Sequence, residues 1–144
     1  MIIVGSDHAG YALKEEVKKY LESMKYEYID VGTYSLDSVD YPDIAKKLSM
    51  KVLEDPANKG ILLCGTGIGV SMTANRFKGI RAALCVYPYM ATMARKHNNA
   101  NVLCLGGRLV SPALANEIVE VFLNEKFEGG RHIKRTEKMD TLEP

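Results

Sequence analysis

Short apolar runs alternate with longer amphipathic stretches from one end of the chain to the other. The apolar runs are rich in Val, Ile and Leu and lack the polar alternation of a strand with one wet face. Runs of this kind are typical of strands buried on both faces of a parallel sheet. They predict strands over residues 2–5, 27–31, 60–64, 82–86 and 102–105.

The stretches between these strands have the spacing of amphipathic helices. Apolar residues recur at helical intervals between positions 11 and 24, and Lys14 is expected on the opposite face with the other charged residues. Pro42 near a first turn and Ser111 as an N-cap mark the starts of two later helices. We expect the remaining helices over residues 42–53, from the glycine loop after residue 64 to about 76, and over 89–96 and 112–124.

This alternation predicts the α/β fold class, in the form of a three-layer, Rossmann-like open parallel sheet of five strands with helices on both faces. Residues 1–144 are expected to form a single domain. Gly129 and Gly130 break the pattern, and a short basic helix is predicted after them. Because the sheet is already covered by then, residues 129–144 are expected to pack on a partner subunit rather than on their own chain.

Composition argues against several functional classes. The chain is 47% hydrophobic and 26% charged with a formal net charge of +1, so it offers no long-range field for nucleic acid or an anionic membrane. Its three cysteines are widely spaced and form no C-x-x-C pair, which favours neither a disulfide framework nor a zinc site. With no long apolar segment and no basic leader in the sequence, we expect a cytoplasmic protein.

The most informative segment follows the third predicted strand. Cys64 is followed by Gly65, Gly67 and Gly69, whose amides can turn towards a bound anion. The segment lacks the G-K-[ST] ending of a P-loop, and its third glycine comes one residue too early for a dinucleotide fingerprint. From the residues alone, a tight turn and an anion loop both remain open. Cys64 is accordingly either a thiolate acting as nucleophile or base, or a buried apolar side chain.

Other polar residues follow the strands or end the helices. Asp7 either caps the first helix or holds a hydroxyl group, and His8 is either solvated or able to meet a phosphate. His97 ends the fourth helix, where the helix dipole alone explains a histidine. Arg131 and Arg135 share one face of the terminal helix, which suits a phosphate or a solvated surface.

Six segments, taken in order, resemble the type B ribose-5-phosphate isomerase family, which also includes galactose-6-phosphate isomerase subunits. They cover nearly the whole chain and are residues 5–10 (GSDHAG), 40–43 (DYPD), 64–69 (CGTGIG), 97–98 (HN), 106–108 (GGR) and 130–132 (GRH). The resemblance implies an aldose–ketose isomerase of the non-oxidative pentose phosphate pathway that interconverts ribose 5-phosphate and ribulose 5-phosphate. It implies no metal, no organic cofactor, and a homodimer or homotetramer whose sites are shared between subunits.

The same resemblance implies a role for each matching residue. His97 would help to open the furanose ring, and Cys64 would carry the proton between C2 and C1. Sugar hydroxyls would be oriented by Asp7 and Tyr41, with Thr66 and Asn98 assisting. The enediolate would be stabilised by the loop amides with Ser71 nearby, and the phosphate would be held by basic side chains; these groups are Gly65, Thr66, Gly67, Ile68 and Gly69, and His8, Arg131, Arg135 and Arg108.

Two alternative functions remain open. The first is an isomerase of a six-carbon sugar phosphate such as allose 6-phosphate or galactose 6-phosphate. Asn99 and segment 87–89 (YPY), which is more aromatic than usual, depart from the family pattern near the sugar side of the site. The second is a non-catalytic sugar-phosphate sensor, which would need the anion loop and the arginines but not Cys64. A thiol-based phosphatase is disfavoured because residues 65–73 contain no arginine.

Overall fold

Strands and helices alternate along the chain as the sequence predicts. The structure is a computed structural model that describes residues 1–143, so Pro144 of the predicted domain lies outside the described residues. The elements are β1 (Ile2–Ser6), α1 (Tyr11–Ser23), β2 (Tyr28–Asp30), α2 (Tyr41–Val52), β3 (Lys59–Cys64), α3 (Ile68–Ala74), β4 (Ala82–Leu84), α4 (Pro88–Lys96), β5 (Val102–Gly106), α5 (Pro112–Asn124) and α6 (Ile133–Asp140), the last preceded by a 3-10 turn over Gly130–His132. Predicted and observed ends differ by only one or two residues.

All five strands are parallel and form one sheet in the order β2-β1-β3-β5-β4. The connection after β1 leads to one side of the sheet and the connection after β2 leads back past β1 to β3. The chain therefore reverses direction between β1 and β3, and their carboxyl ends form the crevice where open α/β sheets bind ligands. Ser6 pairs with Leu63 there, so Asp7, which follows β1, lies beside Cys64, the last residue of β3.

Helices cover both faces of the sheet, which confirms the three-layer α/β prediction. One core joins the sheet to α1, α4 and α5, with Val17, Ala91 and Phe122 among its buried members. The other joins it to α2 and α3 through residues such as Leu48 and Val70. The strands β1, β3 and β5 are buried along almost their whole length, as expected for strands covered on both faces.

The prediction for Lys14 is wrong. Its side chain is fully buried, and its ammonium donates to Asp30 Oδ1 at 2.8 Å and to the carbonyl of Thr33. Lys18 contacts the other Asp30 oxygen at 2.9 Å. A buried ammonium is tolerated where a carboxylate and a carbonyl replace its water, and here it ties α1 to the segment that follows β2.

The C-terminal segment packs on its own chain, which corrects part of the expectation for residues 129–144. Arg81 and Asp140 form an ion pair at 2.8 Å, and the His132 ring stacks on His97. Arg131 and Arg135 stay exposed on this segment, so contact between that surface and a partner subunit remains a proposal. Among the described residues, no helix is long and apolar enough to span a bilayer.

Candidate active site

Three loops meet at the carboxyl edge of the sheet and are tied together by main-chain hydrogen bonds. The amide of Asp7 donates to Leu63 O at 3.1 Å, while the amides of Gly107 and Arg108 donate to Cys64 O at 2.8 Å and Gly65 O at 3.0 Å. The loops after β1, β3 and β5 therefore form one unit around Cys64. Loops held in this way can present side chains and amides to a ligand with little reorganisation.

Cys64 lies at the end of the central strand and is buried. Its Sγ accepts a hydrogen bond from the Gly67 amide at 3.1 Å. Gly67 has φ of +78°, a conformation that suits glycine, and it turns the chain so that this amide faces back towards the sulfur. A cysteine beside a glycine loop and a helix start, with a main-chain amide directed at its sulfur, has the surroundings typical of reactive cysteines.

The two other cysteines lack this arrangement. Burial raises the pKa of the Cys85 thiol to about 12 and also raises that of Cys104, which is fully buried. Both side chains belong to the hydrophobic core. The equivalence of the three cysteines in sequence therefore does not extend to their chemistry, and Cys64 alone among them faces the glycine loop.

Side chains from other loops pack against two of the loop glycines. A Cβ on Gly69 would lie 2.8 Å from ring atoms of Tyr41, and one on Gly65 would lie 3.1 Å from Nη1 of Arg108. The phenol of Tyr41 and the guanidinium of Arg108 thus lie against the main chain of the loop. Any anion bound by the loop amides would meet a hydroxyl group from one side and a positive charge from another.

Asp7 organises the turn before the first helix, and its role towards a sugar hydroxyl remains a prediction. Its Oδ1 accepts hydrogen bonds from the amides of Ala9 at 2.9 Å and Gly10 at 3.0 Å, which fixes the turn into α1. The neighbouring His8 accepts a hydrogen bond at Nδ1 from the Val39 amide at 3.2 Å. Neutral His8 therefore carries its proton on Nε2, where it can serve as a donor to a ligand.

The remaining predicted residues of the loop lie on its outer side. Thr66 and Ile68 are exposed, and Thr66 Oγ1 accepts from the Ile68 amide at 3.3 Å. Ser71 donates from Oγ to Ile68 O at 2.8 Å. We call the residues at this edge the cysteine half-site; it comprises Asp7, His8, Tyr41, Cys64, Gly65, Thr66, Gly67, Ile68, Gly69, Ser71 and Arg108.

His97 and Asn98 lie at the opposite edge of the sheet. His97 is the C-cap of α4. The residues after it accept hydrogen bonds near the amino ends of β4 and β3: Arg81 donates from Nε to Asn99 O at 2.9 Å, and the Gly60 amide donates to Asn101 O at 2.8 Å. Gly60 pairs with Val102, four residues before Cys64. One strand length, about 13 Å, thus separates this level from the sulfur.

The arginines of the terminal segment lie at the same amino edge. His132 stacks on His97 with ring centroids 4.3 Å apart, and Arg131 and Arg135 are close enough to His132 to lower its pKa, after the larger effects of burial and of His97. We call this second group the histidine half-site; it comprises His97, Asn98, Glu128, Arg131, His132 and Arg135. The structure therefore divides the predicted site into two groups that one chain does not bring together.

Sequence reasoning missed two features of these half-sites. Glu128 lies 3.9 Å from His97 Nε2 and 3.7 Å from His132 Nε2, although nothing in its local sequence distinguishes it from other surface glutamates. Lys14 binds the Thr33 carbonyl in the segment between β2 and Tyr41, and the Val39 amide of that segment donates to His8. The place of Lys14 beside the inward-facing Leu13 was the only signal available, and it was outweighed by the surrounding charged residues.

The chain matches known proteins over almost its whole length. A family model described as Ribose/Galactose Isomerase matches residues 2–139. Ribose-5-phosphate isomerase B of Escherichia coli is 44% identical over 142 residues, which cover 99% of this chain and 95% of the relative. The structure of a ribose 5-phosphate isomerase from Thermotoga maritima superposes with a TM-score of 0.96 at 55% identity, over 98% of this chain and 97% of that one.

A further structure, ribose-5-phosphate isomerase B of Mycoplasma genitalium with bound ribulose-5-phosphate, superposes with a TM-score of 0.93 at 43% identity, over 96% of this chain and 93% of that one. These similarities agree with the ordered motifs, the parallel sheet and the cysteine on its glycine loop. The chain belongs to the ribose/galactose isomerase family.

Proposed function

We propose that this protein interconverts ribose 5-phosphate and ribulose 5-phosphate. The observation that carries the proposal is the hydrogen bond from the Gly67 amide to Cys64 Sγ, 3.1 Å long, in a loop that can also stabilise an oxyanion. Relatives that match nearly the whole chain are named for this reaction, and a similar structure holds the ketose product.

The reaction requires ring opening and then a proton transfer. His97 moves protons between the sugar's O1 hydroxyl and its ring oxygen, which gives the open-chain aldehyde. The Cys64 thiolate removes the proton from C2, and the electrons move to form an enediolate whose charge the loop amides stabilise. A proton then passes from O2 to O1 of the enediolate, and the Cys64 thiol returns its proton to C1, which yields the ketose and restores the thiolate.

The other half-site residues bind and orient the substrate. Asp7 and Tyr41 hold sugar hydroxyls, with Thr66 and Asn98 assisting. His8 donates from Nε2 to the phosphate. The guanidinium groups that bind phosphate oxygens belong to Arg108, Arg131 and Arg135.

The proposed active site needs two copies of the chain. The cysteine half-site and the histidine half-site lie at opposite edges of one sheet, so a base and a ring-opening histidine meet only if one subunit supplies each. Exposed apolar side chains lie beside the cysteine half-site: Ile68 is 49% exposed, Met72 67% and Tyr89 65%. An apolar surface of this kind favours cover by a partner, and we infer a homodimer or homotetramer in the cytoplasm, where three free cysteines stay reduced.

Turnover of the purified protein tests this assignment. We expect conversion of ribose 5-phosphate to exceed that of allose 6-phosphate and galactose 6-phosphate. Cys64→Ala should abolish isomerisation while calorimetry still detects binding of ribose 5-phosphate; Cys85→Ala is the matched control and should remain active. Absence of ribose 5-phosphate turnover in the unmodified protein would refute the assignment, and an active Cys64→Ala variant would refute the assigned base.

A further inference from the structure

We propose that Glu128 and His132 are positioning residues for His97, holding its imidazole in the orientation that ring opening requires. The inference rests on the proposed function, because it concerns the ring-opening step alone. Glu128 lies outside the six family motifs. His132 lies within the motif at residues 130–132, but the resemblance assigns it no role.

The two histidine rings form a stack that restricts His97. Their centroids are 4.3 Å apart and their planes are inclined by 14°. His132 is 4% exposed, whereas His97 is half-buried. A flat, immobile ring beneath His97 leaves it few rotamers, and holding a reacting group in one orientation lowers the barrier of the step that uses it.

Glu128 faces the same edge of both rings. Its Oε2 lies 3.7 Å from His132 Nε2 and 3.9 Å from His97 Nε2. Although His132 Nε2 is buried, it has no hydrogen-bond partner within residues 1–143. A carboxylate facing an imidazole nitrogen favours a proton on that nitrogen. In neutral His97 this leaves Nδ1 free to accept a proton from the sugar.

The segment that carries Glu128 is attached to the helix that carries His97. The Glu128 amide donates to Lys96 O at 3.1 Å, and Arg95 Nε donates to Glu125 O at 3.3 Å. The end of α4 and residues 125–132 therefore move as one unit, so Glu128 keeps its place beside the imidazole.

A metal ion is the other ligand that these three side chains suggest, since their ligand atoms lie within 4.8 Å of one another. The stack argues against it. In nearly parallel rings the nitrogen lone pairs run side by side, whereas a tetrahedral ion needs ligands that converge on one point. Arg131 and Arg135 add positive charge nearby. The geometry suits a proton better than a cation.

The test separates ring opening from proton transfer by the choice of substrate. Ribose 5-phosphate closes its furanose ring through the 4-hydroxyl group, whereas 4-deoxyribose 5-phosphate lacks that group and stays open. Glu128→Gln should lower kcat/KM for ribose 5-phosphate about tenfold, a fraction of what a general acid–base contributes. Turnover of the 4-deoxy substrate, relative to the unmodified protein, should change less than twofold.

Two further variants complete the design. Glu125→Gln removes a carboxylate that lies on the same segment but pairs with Lys96 rather than with the histidines. The ratio of its kcat/KM values for the two substrates should match that of the unmodified protein. His132→Ala removes the stack and should give the same selective loss as Glu128→Gln. Anomer exchange of ribose 5-phosphate, followed by NMR in a Cys64→Ala background, measures ring opening directly and should slow in both variants.

The outcomes distinguish this inference from the proposed function. Equal losses on both substrates, or unchanged anomer exchange in Glu128→Gln, would show a merely structural role and overturn the inference while the isomerase assignment stands. An unmodified protein without turnover of ribose 5-phosphate would instead overturn the proposed function.

Discussion

Two inactive variants of this protein should restore activity when they are mixed. Cys64→Ala removes the proposed base and leaves the histidine half-site intact, whereas His97→Asn removes the proposed ring-opening group and leaves the cysteine half-site intact. Neither variant alone contains a complete site. In a mixed dimer, the intact Cys64 of one subunit meets the intact His97 of the other, because the two half-sites of a single chain lie at opposite edges of the sheet.

The expected recovery follows from the geometry. Residues 97–101 follow α4 and reach the sheet at Gly60, whose amide donates to Asn101 O. Gly60 lies four residues before Cys64 on the same strand, which is a distance of about 13 Å. A general acid must come within about 3 Å of the atom it protonates, so no complete site forms within one subunit. With two-fold symmetry and random exchange, about half of the dimers are mixed and one of their two sites is intact, which gives about a quarter of the unmodified activity.

The assay needs subunit exchange and a matched control. The two variants are mixed in equal amounts, exchanged by gentle heating or dilute denaturant, and assayed for ketose formation, while native mass spectrometry counts the mixed species. A mixture of Cys64→Ala with the double variant that carries both substitutions should stay inactive. If mixed dimers form but activity stays at the level of the two single variants, the active site is not shared between subunits.

Three other predictions follow from individual contacts. Burial alone would raise the pKa of Asp30, but hydrogen bonds from Lys14 and the Gly32 amide outweigh it and lower that pKa. The stabilisation is therefore full above pH 3.8 and is lost as the pH falls through the lower pKa of the folded state. In urea melts, the free energy of unfolding of Asp30→Asn should depend less steeply on pH in acid than that of the unmodified protein. Gly67→Ala places a Cβ 2.5 Å from Leu84 at φ +78°, and it should lower the free energy of unfolding by about 2 kcal/mol in urea melts and remove most of the activity in turnover assays. The control Gly79→Ala should lower the free energy of unfolding by about 1 kcal/mol. Iodoacetamide should label Cys64 before the other two cysteines, and substrate should protect it. If mass spectrometry finds Cys85 or Cys104 labelled before Cys64, Cys64 is not the activated cysteine.

The strands and the cysteine half-site could be predicted because their signals are local. A run such as residues 61–64 has apolar side chains at every position, so only a strand covered on both faces or a buried helix segment can satisfy it, and its length favours the strand. The carboxyl ends of parallel strands meet at one edge. Asp7, Cys64 and Arg108, each placed after a strand, were therefore expected together, and the structure brings them together.

The burial of Lys14 could not be predicted because it depends on a partner 16 residues away. Within its helix, Lys14 neighbours Glu15 and Lys18, which indicates a solvated face. Only the fold shows that Asp30 and the Thr33 carbonyl lie opposite the ammonium. Tertiary contacts of this kind replace the water that a charged group loses, and no pattern along the chain records them.

The division of the site, by contrast, was implicit in the sequence. His97 was expected at the end of a helix and Cys64 at the end of a strand, and in a parallel α/β fold those two ends lie at opposite edges, because each helix returns the chain to the start of the next strand. A site that needs both must therefore join the carboxyl edge of one copy to the amino edge of another. In the proposed homodimer, two-fold symmetry generates two identical sites, each with the proposed base at a strand end and the proposed ring-opening histidine at a helix end.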